Sequence, residues 1–106
     1  NHVDREIDFA RTALEQHSSV ASFEFIFHKL FKLNLRNGKS VKVALVNDYD
    51  ITSSEVRSAK KWLGDFDVIL KNNPNGRITD DADSAAESIG AKVLKIGDLM
   101  RHIAKL

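Results

Sequence analysis

Asp48 and Asp50 stand two residues apart just past the apolar run Val41 to Val46, a spacing that offers both carboxylates to one magnesium or manganese ion. Such a pair would do divalent-metal-dependent nuclease or phosphotransfer chemistry, with Lys39, Lys42 or Arg77 facing phosphate. The competing reading is conformational: Asp48 forms an Asx turn, and Asp50 or Thr52 caps the helix that follows.

A second polar loop, Asn72-Asn73-Pro74-Asn75-Gly76-Arg77, supplies side-chain amides and a backbone able to reach left-handed conformations. With Arg77 and the start of the next helix, it would suit a small nucleotide or phosphometabolite. It lacks the repeated glycines of a dinucleotide fingerprint and the Gly-Lys-Ser/Thr ending of a P-loop, so a tight strand-to-helix connection is the simpler account.

Other chemistries find less support. His2, His17, His28 and His102 are scattered, with no pair at metal-ligand spacing on one helix. His28 is expected on the polar side of its helix, and His102 near a helix C-terminus, where a protonated ring favours the dipole. No serine lies in a Gly-x-Ser-x-Gly elbow. Without cysteine, thiol catalysis, thiolate zinc sites and disulfides are all excluded. Lys29, Lys32, Arg36, Lys39 and Lys42 form the densest basic stretch, followed by Arg57, Lys60 and Lys61. These could contact phosphates while Tyr49 or Trp62 stacks on a base, although solvated faces explain most of them.

The elements that position these residues follow from periodicity. Val3, Ile7, Ala10 and Leu14 predict a helix from about Val3 to Gln16. After the break at His17-Ser18-Ser19, Phe23, Phe27, Leu30 and Phe31 predict a second helix, although Phe23, Phe25 and Phe27 also alternate as a strand would. That helix is apolar on more than one side, and is either sandwiched against the sheet or partly buried by another subunit, which makes Phe23 to Phe31 a homodimer candidate. Asn37-Gly38-Lys39 marks a turn, and Val41 to Val46 reads as a buried strand. Thr52-Ser53-Ser54-Glu55 has capping-box spacing, with Val56, Ala59 and Leu63 as the inner face of a helix ended by Gly64 and Trp62 near that face. Val68 to Leu70 predicts another strand, and Thr79 caps a helix whose inner face is Ala82, Ala85, Ala86 and Ile89. Val93, Leu94 and Ile96 predict a third strand, and a last helix from Asp98 turns Leu99, Ile103 and Leu106 inward.

Val43 to Asn47 set beside Val68 to Asn72, and Ile51 to Ser54 beside Ile78 to Asp81, repeat one β-loop-α unit. Alternating strands and helices predict a single α/β domain over 1–106, with a helical N-terminal segment at 1–36 and a β-α repeat core at 37–106. The expected fold is a small Rossmann-like parallel sheet of about three core strands flanked by helices, with an N-terminal helical pair. In such sheets ligands bind beyond the carboxyl ends of the strands, where both loops would lie.

The 106 residues, 42% of them hydrophobic, suffice for one core. A net charge of +1 gives no global argument for nucleic acid or an anionic membrane. No apolar run approaches the roughly 20 residues that span a bilayer, and Asn1-His2-Val3-Asp4 does not open a signal peptide, so a soluble, cytoplasmic protein without a membrane partner is expected. Because the chain opens at Asn1 rather than Met, a trimmed domain or a tag remnant is also expected.

Val68 to Met100 runs strand, Asn-Gly, Ile78-Thr79, Ala82, Ala85-Ala86, Gly90, Val93-Leu94, then Asp98-Leu99-Met100. This stretch, about a third of the chain and mostly packing positions, resembles the C-terminal βαβ tail of restriction-endonuclease-like domains of the Mrr type. In that family a catalytic Asp and a Glu-x-Lys triplet lie on earlier strands. No Glu-x-Lys occurs here, so the resemblance carries over no catalytic residue and implies an inactive, nucleic-acid-associated relative. Asp48-Tyr49-Asp50 is similar to the Asp-x-Asp step of Toprim domains, but those also carry a glutamate after an earlier strand, where this chain reads as helical.

The residues therefore favour a non-catalytic binding or interaction domain. Its expected contact edge is Asn47, Asp48, Tyr49, Asp50, Asn72, Asn73, Asn75, Gly76 and Arg77, with no cofactor. The alternatives are a magnesium or manganese nuclease or phosphotransfer domain using Asp48 and Asp50, and a small nucleotide or phosphometabolite binder.

Overall fold

The computed structural model describes residues 11–27, 29–73 and 75–106. Its centre is a five-stranded sheet in the order β1 (Val20–Phe27), β2 (Leu30–Leu35), β3 (Ser40–Val46), β4 (Val68–Lys71) and β5 (Lys92–Lys95). The first three strands pair antiparallel and the last three parallel, so the sheet is mixed. This overturns the expected Rossmann-like parallel sheet of three strands. The helices α1 (Ser53–Leu63), α2 (Asp80–Ser88) and α3 (Ile96–Ala104) complete the described elements.

The error lies in the N-terminal third. The expected second helix over Phe23 to Phe31 is instead the end of β1, a turn and the start of β2, so a helical pair does not form and the homodimer surface proposed on that helix is an edge strand. Phe31, Leu33 and Leu35 alternate with Lys32 and Asn34, and only a strand sends all three to one face. There Phe31 stacks on Phe23 with ring centroids 4.4 Å apart, and Phe25 pairs with Phe31 across the strands. On the opposite face Asn34 Nδ2 donates to Ser22 Oγ and Glu24 Oε2, and Lys32 pairs with Glu24. The Asn37-Gly38 turn joins β2 to β3, with Gly38 at φ 91°. Of the helix expected from Val3 to Gln16, residues 1–10 lie outside the described residues and residues 11–15 are helical. His2 and His28 also lie outside them.

Two cores flank the sheet. Leu14, Leu99 and Ile103 pack on Phe31, Leu33, Val43, Leu45, Val68 and Leu70. On the other side Val56 and Ala59 of α1 and Ala82 and Ala86 of α2 pack on Ala44, Ile69 and Val93, and the small side chains let both helices approach closely. The local signals act where expected: Thr52 forms a full capping box with Glu55, Thr79 caps α2, and Gly64 closes α1. Three details differ. The last helix begins at Ile96 rather than Asp98, Leu106 is half-exposed, and Trp62 is 72% exposed. Among the described residues no helix is long and apolar enough to cross a membrane.

Candidate functional site

Both crossover helices α1 and α2 lie on one face, and the strand order runs straight through without reversal. A doubly wound sheet opens a crevice where its order reverses. Here the loops after β3 and β4 close on each other instead. Ile51 and Ile78 form a parallel bridge, Ile51 N donates to Arg77 O, and Thr79 N donates to Ile51 O, each at 3.0 Å. The repeat visible in sequence is thus two loops laid side by side and hydrogen-bonded.

Most of the expected contact edge is spent on that closure. Asp50 Oδ1 accepts from Arg77 N at 3.0 Å. Asn73 Nδ2 donates to Asn47 O, and Asn73 Oδ1 accepts from Asn75 N. Asn72 N donates to Val46 O. Gly76, at φ 77°, passes so close to the first loop that a Cβ would fall on the Tyr49 carbonyl. Asp48, Tyr49 and the Arg77 side chain remain exposed. Among the described residues no group of three or more His, Cys, Asp or Glu side chains is placed to hold a metal ion.

Sequence reasoning missed Lys71. This is the last residue of β4, only 2% exposed, and its ammonium donates to Asn73 O at 2.7 Å and to Asn75 O, with Asp48 O at 3.4 Å. One cation therefore ties the backbones of both loops together. Burial pushes its pKa below the usual lysine range and Lys95 adds repulsion, while Asp50 and Asp48 act the other way. The available signal was a lysine closing an apolar run just before an Asn-rich loop.

The basic stretch is largely paired or spread. Lys32 faces Glu24, Lys39 Nζ donates to Leu106 O, Lys60 pairs with Asp65, and Arg57 donates to Ser53 Oγ. Among the other histidines, His17 accepts from Ser19 N through Nδ1. His102 lies in the last turn of α3 as expected, and burial and Lys92 hold its pKa below the ordinary histidine range, with Asp67 opposing.

Open space lies on the other side of β3. Where the sheet changes from antiparallel to parallel, a groove of about 600 Å³ lies beside the C-terminal end of β3. Phe27 and Lys29 border it from the β1–β2 hairpin, Asn47 and Asp48 from the loop after β3, and Glu55, Ser58 and Trp62 from α1. The volume falls within the ordinary range of ligand pockets, about 300–1,000 Å³. Phe27 is 51% exposed and Trp62 72%. Glu55 spends Oε1 on the Thr52 amide and hydroxyl. Asn47 Oδ1 is buried without a hydrogen-bond partner among the described residues, a state that costs about 1–3 kcal/mol in general. Of the residues read from the sequence as contact candidates, the groove gathers Phe27, Lys29, Asn47, Asp48 and Trp62; Glu55 and Ser58 join them only through the fold.

Compared with known proteins, the chain matches no family model, no curated protein and no solved structure.

Proposed function

We propose that this is a non-catalytic binding module whose contact surface is the groove at the C-terminal end of β3, together with the exposed Asp48-Tyr49 tip beside it. The observation that carries this reading is the exposure of Trp62 and Phe27 on one groove. Large aromatic side chains beside a concave surface are the usual anchors of recognition. The commitment of Asp50 to the Arg77 amide weakens the rival metal pair, because one of its oxygens already holds the fold together. The Asn72 to Thr79 turn likewise spends its polar groups internally, which weakens the phosphometabolite reading.

The test compares the domain with Trp62→Ser and Phe27→Ser for melting temperature, for retention of a binding partner from source-cell extract, and for cleavage of phosphodiesters with magnesium or manganese. Retention lost in both variants at near-unchanged melting temperature is expected. Metal-dependent cleavage that Asp48→Ala abolishes would overturn the reading in favour of the nuclease.

A second reading is favoured by β1. Among the described residues it is an edge strand, with Phe25 and Ile26 each 47% exposed, and an apolar edge invites a second copy of the chain to continue the sheet.

A further inference from the structure

The groove's wall after β3 is fastened from behind. Asn47 and Asp48 line the groove, and the backbone carbonyl of each accepts from the β4 side: Asn73 Nδ2 donates to Asn47 O at 3.3 Å, and Lys71 Nζ reaches Asp48 O at 3.4 Å. Neither donor residue lines the groove. Both donors are themselves anchored. The Lys71 ammonium also donates to Asn73 O at 2.7 Å and to Asn75 O, and Asn73 Oδ1 accepts from Asn75 N at 2.9 Å. Further along the wall, a Cβ on Gly76 would fall on the Tyr49 carbonyl, and Asp50 Oδ1 accepts from Arg77 N. Every residue from Asn47 to Asp50 is thus held by Lys71 or by the loop after β4.

An exposed loop that carries its own weight is ordinarily among the first parts of a fold to move. This wall moves only if the second loop moves with it. Segments tied in this way share their arrangements, so whatever biases one biases the other, and the coupling is reciprocal. Charge joins them as well. Burial and Lys95 disfavour the Lys71 ammonium while Asp50 and Asp48 favour it, so a change of charge beside Asp48 is felt at Lys71.

We infer that Lys71 and Asn73 are positioning residues of the groove: without lining it, they fix its Asn47-Asp48 wall and transmit its occupancy to the loop after β4. This inference rests on the binding-module reading and adds the residues that hold that surface in shape.

Trp62 is the sole tryptophan of the chain and lines the groove, so energy transfer from it reports a dye bound there. The whole chain, kept well below its melting temperature, is titrated with the neutral apolar dye phenylnaphthylamine, which absorbs where tryptophan emits. Saturable transfer that Phe27→Ser weakens is expected. Lys71→Met and Asn73→Ala should each weaken the dye by about threefold to tenfold, the order of coupling that such contacts carry. Ala86→Gly, which lowers stability from within α2, should leave dye affinity unchanged. Saturating the native chain should also shift the Asn75 and Arg77 amide resonances, which a merely structural role for Lys71 would not move. Should Lys71→Met fail to fold, Asn73→Ala and the native amide shifts decide. Dye binding that needs Phe27 and ignores Lys71→Met and Asn73→Ala, or that Ala86→Gly weakens as much as they do, overturns the inference and leaves the binding-module reading standing. No transfer, or transfer indifferent to Phe27→Ser, overturns both.

Discussion

Gly76 and Tyr49 are in backbone contact across the two loops: a Cβ on Gly76 would land on the Tyr49 carbonyl group and 2.9 Å from Asp50 Oδ1. Gly76 also sits at φ 77°, where L side chains are strained. The close approach brings Asp50 Oδ1 to Arg77 N and Ile51 to Ile78. Gly76→Ala should therefore lower stability by about 3 kcal/mol, because backbone must move to admit even a methyl group. Urea denaturation measures it. A loss under 1 kcal/mol, the order of an ordinary surface change, would show that the loops yield easily.

Lys71 closes the same junction from beneath. Replacing it with Met keeps much of the apolar stem and removes the donors to Asn73 O and Asn75 O. The expected loss is about 2 kcal/mol, since hydrogen bonds from a charged donor are worth about 1.5–3 kcal/mol and part is recovered by no longer burying the ammonium. Amide exchange should accelerate at Ile51 and Thr79, whose N–H groups bridge the loops, while β2 keeps its protection. Uniform acceleration across the sheet would mark Lys71 as a general core residue instead.

What was legible in sequence was what local chemistry specifies. Thr52 with Glu55 three residues on, and Thr79 ahead of Asp80 and Asp81, announce helix starts whatever the rest of the chain does. The adjacency of the two loops was legible for a related reason: equal strand-loop-helix units in consecutive strands place equal positions side by side. The hairpin was not, because Phe23, Phe27, Leu30 and Phe31 satisfy helical spacing while Phe31, Leu33 and Leu35 satisfy strand spacing. Long-range pairing with Val41 and Val43 decides between them. The groove was hidden more deeply. Phe27 and Trp62 line one groove only because the β1–β2 hairpin and α1 are brought to the same end of β3, and no short window of residues contains that geometry.

His102 sets a pH dependence with a definite sign. Its surroundings, burial first and Lys92 second, hold its pKa below the unfolded value of about 6.5. The folded chain therefore binds this proton less tightly than the unfolded chain. The associated stability is fully present above about pH 6.5 and is lost as pH falls through the lower folded value. His102→Gln should flatten the fall in melting temperature between about pH 7 and pH 5. An unchanged slope in the variant would assign the acid sensitivity to the carboxylates.

The outer edge of β1 predicts behaviour at high concentration. Phe25 and Ile26 are each about half exposed, and among the described residues the strand's outer backbone groups face no further strand of the sheet. Such an edge is a template for antiparallel pairing with its own copy, which brings the same residues of both chains together. Sedimentation equilibrium should show concentration-dependent self-association of the native chain. Ile26→Lys should suppress it, because a charge on an edge opposes strand addition. The same variant should melt within a few degrees of the native chain, since a half-exposed side chain contributes little to the core. A native chain that stays monomeric at every concentration would rule out the edge as a self-pairing surface and leave the groove beside β3 as the proposed contact surface.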